Sequence, residues 1–340
     1  MATYYVNAAT GDDATGDGSV GNPWQTLGHA ETESFSSGDI IDFTGAESID
    51  DPLDFGVDRI HLRGAGRGSA SITCSGSWSG SYIFNDGAAR ILKVSGVDID
   101  ANGESIQVAN FSATKINEYI QCGITGFAGS STVLTADHVR ECEVYSNTST
   151  GIAVLMDNGT IVNSWVHDNS GPGIRLETNA TADTTVSSDN AGDGFELFQS
   201  ELNTCRACVA YNNSASGFDV EGGNNTTRTG NFVDCIAESN GAYGFEFSGE
   251  NYATPTATRC FSYSNTSGST SGTFTGTVTA LTESAFADAA SDDFNLTNAS
   301  AGGGDVRGSS FSMGSNTDVY PLRAFSTGRS TKLVSGGLVG

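Results

Sequence analysis

Between Cys142 and Asn265 one short phrase recurs six times: CEVYSN (142–147), SWVHDN (164–169), TVSSDN (185–190), CVAYNN (208–213), CIAESN (235–240) and CFSYSN (260–265). Its asparagines lie 22, 21, 23, 27 and 25 residues apart. In the first five copies a glycine follows four residues later (Gly151, Gly173, Gly194, Gly217, Gly244) and opens a strand-like run: IAV (152–154), IRL (174–176), FEL (195–197), FDV (218–220) and FEF (245–247). A period of 20 to 30 residues with a constant internal grammar marks a solenoid.

Both halves of the repeat alternate with period two and are rich in β-branched and aromatic residues, which is strand patterning. Nothing between 142 and 265 sustains a 3.6-residue period, which disfavours helical repeats. Asparagine tolerates left-handed backbone and suits the bend between two strands, and the glycine admits conformations that other residues resist. Stacking equivalent strands in parallel sets the Cys/Ser/Thr position as an inward ladder of small residues and the Ile/Phe and Val/Leu positions as apolar ladders. Asparagines stacked at the bend can bond from coil to coil. The fold expected is all-β, a single-stranded parallel β-helix. Its domains read as an N-terminal cap and first strand over 1–44, the β-helix over 45–281, and a closing segment with a Gly/Ser-rich irregular tail over 282–340.

A solenoid grows in one dimension, so 340 residues need no second core. The formal charge of −25 and pI near 4.2 argue against nucleic acid and anionic membrane as partners, since both require a cationic face, and suit solubility in salt. Of seven cysteines, Cys142, Cys208, Cys235 and Cys260 share one repeat phase and read as stacked small hydrophobes made in a reducing compartment. Cys205 and Cys208 form a lone CxxC, and the four histidines (His29, His61, His138, His167) are scattered, so a zinc or redox centre is not expected. Residues 1–20 lack the pattern of a signal peptide and no apolar run approaches a membrane span, so neither export by that route nor membrane insertion is expected.

Ahead of the repeats stand YYVNAATGDDATGDGS (4–19), NPWQTLGHA (22–30) and SSGDIIDFTG (36–45). Residues from Thr26 to about Glu33 read as a short helix with Trp24 and Leu27 facing the core. These segments resemble the opening of the pectate-lyase-like family of right-handed parallel β-helix proteins, and the asparagine repeats resemble that family's coils, so the likeness covers most of residues 3–270. It implies a right-handed β-helix. It does not imply one activity, because the family includes lyases, hydrolases, epimerases, phage tailspikes and adhesins. SDDFNL (291–296) resembles the family's closing strand, without the proline of its following turn. The tail carries Arg307, Arg323, Arg329 and Lys332 and is expected to dock on its own barrel or on a neighbour.

Three surfaces are candidates for function. Asp12, Asp13 and Asp17 in the first loop are a candidate calcium site, calcium being the one cofactor considered. In the glycine-led runs the central residues Ala153, Arg175, Glu196, Asp219 and Glu246 face outward, with Leu155, Glu177, Phe198, Glu221 and Ser248 two further on. Glu177, Glu196, Asp219, Glu221 and Glu246 would then form an acidic patch beside Arg175. It is either a solvated face or, with Arg175, Glu196, Asp219 and Glu246 as catalytic groups, the paired carboxylates of glycoside chemistry. On the asparagine-side strand, Tyr145, Trp165, His167, Tyr211 and Tyr263 form an aromatic column suited to stacking sugars or meeting a protein; with the strand faces inverted, it is core. GRG (66–68) reads as a turn only.

The resemblance transfers no catalytic residue. Family lyases use a Lys or Arg base, yet the only lysines are Lys93, Lys115 and Lys332, and Arg175 is the one cation of its column. Asp292 and Asp293 match one hydrolase motif, but the Gly-His and Arg-x-Lys partners are missing. The expected function is therefore a phage virion structural protein, a decoration, adhesin or tailspike-like module made in the host cytoplasm. It would contact host-surface polysaccharide, other virion proteins, or copies of itself as a homo-oligomer such as a trimer. A polysaccharide lyase or glycosidase of the same fold, and a non-catalytic carbohydrate-binding module, are the alternatives.

Overall fold

Each coil is built from three short strands, as in Thr181–Asp183, Val186–Ser188 and Phe195–Leu197. Equivalent strands of the next coil pair with them in parallel: Thr181 with Thr204, Val186 with Val209, Phe195 with Phe218. Repetition produces a three-sided solenoid with one parallel sheet per side. This computed structural model describes residues 1–76, 78–85, 91–109, 116–198, 202–221, 230–247, 254–296, 302, 303 and 306. Among the described residues no helix is long and apolar enough to cross a membrane.

The repeat phrase makes the second sheet, but its bend differs from expectation. The left-handed residue in all six copies is the one before the asparagine: Ser146, Asp168, Asp189, Asn212, Ser239 and Ser264. The asparagine itself turns inward and bonds along the axis. Asn147 Nδ2 donates to Asn169 Oδ1 at 2.8 Å, and the chain continues through Asn190, Asn213, Asn240 and Asn265 with 2.9, 3.0, 3.1 and 2.8 Å steps. The second amide proton reaches a carbonyl of the preceding coil, Val144 O from Asn169 and Val166 O from Asn190. Each Oδ1 also accepts a backbone N–H, as Asn190 Oδ1 does from Asn169. These buried amides are fully bonded, which is the condition for burying them cheaply.

The ladder also explains the repeat glycines. None of Gly151, Gly173, Gly194, Gly217 or Gly244 has a left-handed φ. A Cβ at Gly217 would instead lie 2.8 Å from Asn240 Nδ2, and one at Gly194 2.7 Å from Asn213 Nδ2. At Gly173, Gly194, Gly217 and Gly244 room for the amide ladder, not backbone freedom, selects glycine, whereas at Gly151 the crowding comes from the Ser131 backbone.

Inside, Cys122, Cys142, Ser164, Thr185, Cys208, Cys235 and Cys260 form the inward column, all fully buried, and all seven cysteines of the chain are unpaired thiols. Phe195, Phe218 and Phe245 stack with ring centroids 4.9 Å apart and planes within 11°. Phe232 meets two of them edge-on. Such pairs add about 0.5–1.5 kcal/mol each to the burial itself. The coil led by Cys122, with strand Gly123–Thr125, escaped the sequence reading because Phe127 stands where later copies carry asparagine.

Both ends join the solenoid. Strand Thr3–Asn7 pairs in parallel with Asp39–Ile49, which spans the boundary at 44 and feeds two sheets. The helix Leu27–Ala30, capped by Thr26, lays Leu27 and Ala30 into the core beside Trp24, as its pattern predicts. After the last rung at Thr275–Ala280 the chain doubles back as an antiparallel pair, Phe286–Asp288 with Asp293–Leu296. Arg307, Arg323, Arg329 and Lys332 lie outside the described residues.

Candidate functional site

The third sheet carries the acidic column. Its register aligns Leu155, Arg175, Glu196, Asp219 and Glu246 on successive rungs, about 4.8 Å apart. The first rung begins at Val154, so Leu155 takes the outward place expected for Ala153, which is buried. Position 248 lies outside the described residues.

Two of these acids are withdrawn from solvent, while Glu177, Glu221 and Glu246 stay partly exposed. Although Glu196 and Asp219 point away from the barrel, opposite the buried Phe195 and Phe218, they are only 3% and 8% exposed. Arg175 folds over the column: Nε and Nη2 contact Glu196 Oε2 at 2.7 and 2.6 Å, Nη2 lies 4.0 Å from Glu221 Oε2, and the guanidinium sits 4.8 Å above the Phe198 ring. That arrangement joins an ion pair to a cation–π contact.

Two residues missed from the sequence complete the cluster. Asp193 accepts the Ser216 N–H at 2.7 Å, and Ser216 Oγ donates to Glu246 Oε2 at 2.6 Å. Both stand just before repeat glycines, in the turn entering the strand, and each copy carries a different residue there, so no repeated signal marked them. Asp219 Oδ1 is buried without a hydrogen-bond partner among the described residues.

Burial of like charges with one cation raises the acids' proton affinity. Burial, then the charges of Asp193, Glu246, Glu221 and Glu196, push Asp219 up to about 8. Burial carries Glu196 to about 7 despite the opposing Arg175 charge. Asp193 rises to about 6, again through burial, and Glu177 is raised by burial. Near neutral pH the column therefore holds a protonated carboxyl at Asp219 beside a carboxyl that titrates there at Glu196. That is the pairing acid–base chemistry requires.

The aromatic column differs from expectation. The Cys ladder faces in and the aromatic column faces out, yet the column is covered by the chain's own C-terminal hairpin. Val186, Val209, Ile236 and Phe261 on the sheet pack with Leu281, Phe286, Phe294 and Leu296, and Trp165, Tyr211 and Tyr263 border this second core. Tyr211 meets Phe294 edge-on at 5.6 Å. Glu238 anchors the hairpin by accepting from Ser284 Oγ at 2.6 Å and Ala285 N at 3.1 Å. Trp165, Tyr211 and Tyr263 are thus half-buried at the edge of the hairpin. The apolar face sought a cover, and the chain supplies it.

Tyr145 and His167 belong to a separate charged cluster. Tyr145 and Trp165 stack on either side of the His167 ring at 5.6 and 3.7 Å. His167 Nε2 pairs with Glu143 at 2.9 Å and Nδ1 with Asp168 at 2.7 Å. Arg67 reaches across to ion-pair with Asp98 and Glu143, so the GRG segment is more than a turn. Gly123 makes room, since a Cβ there would lie 2.8 Å from Arg67 Nη2. No sequence proximity announces a contact between residues 67 and 143.

Asp12, Asp13 and Asp17 each serve a separate turn or tie. Asp12 accepts from Ala14 N and Thr15 Oγ1, Asp17 from Ser19 N, and Asp13 from Gln25 N and Thr26 Oγ1. Each carboxylate closes its own turn or ties the loop to the helix, and they do not converge. Among the described residues no group of three His, Cys, Asp or Glu side chains is placed to hold a metal ion.

The family model described as right handed beta helix region matches residues 83–261. Among solved structures, pectate lyase Pel9A shares 16% identity and a TM-score of 0.52, over 83% of this chain and 79% of that one. The Geobacillus virus E2 protein ORF18 shares 11% identity and a TM-score of 0.43, over 82% and 60%. The A-module of Azotobacter vinelandii mannuronan C-5 epimerase AlgE6 shares 12% and 0.45, over 74% and 92%. At such identities the likeness is one of fold. Comparison with curated protein sequences finds no match.

Proposed function

The chain belongs to the right-handed β-helix family, and from that premise we propose that it engages polysaccharide through the carboxylate ridge of its third sheet. One observation carries the reading: Asp219 is buried with an unpartnered carboxyl oxygen among four other acids and a single arginine. A fold gains nothing from that arrangement, since burying unpaired polar atoms and like charges is destabilising. Such local conflicts concentrate at functional sites. Sugar hydroxyls supply the donors and acceptors the ridge lacks, and a protonated Asp219 beside Glu196 supplies the acid of glycosidic cleavage.

The test is a panel of polysaccharides assayed for binding and for released reducing ends, with wild type, Asp219→Asn and Arg175→Ala. Binding or cleavage that falls in both variants supports the reading. Binding indifferent to both removes the ridge from it.

A virion module remains the second reading, favoured by the seven buried, unpaired cysteines, which suit a chain that folds in a reducing cytoplasm. In it the same ridge meets host-surface glycan, and assembly proceeds with copies of itself or with other virion proteins. Light scattering of the full chain tests the assembly: a trimer supports it and a dilution-stable monomer counts against self-assembly.

A further inference from the structure

Resting on the reading of the ridge as a glycan site, we propose that its ligand carries protonated amino groups, a hexosamine polymer, and not a polyuronate. Within the ridge the carboxylates of Asp193, Glu196, Asp219, Glu221 and Glu246 face one cation among the described residues, and that cation is engaged: Arg175 is bound to Glu196 and stacked on Phe198. No described side chain is left to neutralise a uronate carboxylate, and no described acidic group is placed to bridge one through a metal ion. A polyanion would enter a negative column on a chain of charge −25, against both the local charges and the long-range field.

A cationic sugar reverses each of these terms. The unpartnered Asp219 Oδ1, only 8% of whose residue is exposed, is an acceptor without a donor, and an ammonium group supplies three donors. Glu196, Asp219 and Glu246 stand on three successive rungs, so successive amino sugars meet successive carboxyl groups. Burial of Asp219 keeps the acceptor out of bulk water, where an ion pair is stronger than on an open surface. The raised proton affinity of Asp219 arises from burial and then from the like charges of Asp193, Glu246, Glu221 and Glu196, which the one cation among the described residues does not offset.

The experiment is titration calorimetry with three hexasaccharides, of glucosamine, N-acetylglucosamine and galacturonate, at about pH 6, where the glucosamine amines are protonated. Wild type is compared with Asp219→Asn and with Asp58→Asn, an exposed acid far from the ridge. The expected result is tightest binding of the glucosamine hexamer, with release of the Asp219 proton seen as a heat that varies with the buffer. Asp219→Asn, which has no proton to give up and no charge to offer the ammonium, should weaken that binding about tenfold, and Asp58→Asn should leave it unchanged. Equal weakening in both variants means attraction to overall charge and overturns the proposal. Tighter binding of the galacturonate or acetylated hexamer, still sensitive to Asp219→Asn, overturns the ligand class and leaves the ridge as the glycan site. Failure of every hexamer to bind in a ridge-dependent way overturns both.

Discussion

Replacing Asp219 by asparagine should stabilise this protein, and by an amount that grows with pH. The substitution keeps the shape of a protonated carboxyl and removes the group that ionises. Asp219 holds its proton up to about pH 8 in the folded chain, against 3.8 when unfolded. Below the unfolded value both states are protonated and the residue costs nothing. Between the two values the unfolded chain loses its proton and the folded one does not, so stability falls by 1.36 kcal/mol per pH unit, and it levels off only above the folded value. At pH 7 the accumulated loss is about 4 kcal/mol. For a chain of this length that corresponds to a rise in Tm of about 6 °C in Asp219→Asn, shrinking towards zero at about pH 4. Denaturant titrations of both proteins across that range measure the difference directly. A difference that stays near zero throughout, or a destabilisation that does not vary with pH, would refute the buried, protonated Asp219 and restore the solvated acidic face. A stabilising change that also weakens glycan binding is the trade expected when stability is sacrificed at a functional site.

Other consequences can be measured in the same assays. Asn190→Ala removes an amide that bonds Val166 O, Asn213 Oδ1 and the Asn169 donors; stranding these buried groups should cost about 3–5 kcal/mol in urea unfolding, and a change under 1 kcal/mol would mean the ladder is not continuous. Gly217→Ala should destabilise by about 1–3 kcal/mol or more, because its Cβ has no room beside Asn240; a stabilised variant would contradict that crowding. Phe294→Ala should loosen the hairpin over the second sheet, speeding hydrogen exchange across 281–296 while the coil amides stay protected; unchanged exchange would mean the hairpin does not rely on that ring. Arg67→Ala should cost about 3–5 kcal/mol by leaving Glu143 and Asp98 without their shared cation, with a smaller loss at low pH as the carboxylates protonate.

Local sequence carried the architecture of this protein. Because each coil repeats the phrase ending in asparagine, and strand side chains alternate faces, the period and the alternation together dictated parallel stacking, the inward Cys/Ser/Thr column and the aromatic ladder. Even the acidic column was legible, since Arg175, Glu196, Asp219 and Glu246 occupy one repeat phase. The reasons for two of the repeated residues were not. Which residue of the bend takes the left-handed conformation, and why the glycines are glycine, depend on where the asparagine amides lie across three neighbouring coils. Tertiary structure alone decided which surfaces are open. The hairpin that covers the aromatic column lies outside the repeat and contacts strands from Val186 onward. Arg67 reaches Glu143 across two intervening coils, and it is burial that turns Glu196 and Asp219 from a wet acidic face into proton-holding groups. Periodicity encodes contacts between equivalent residues of successive coils. Contacts between non-equivalent residues, which set burial and hence charge, have no period to be read.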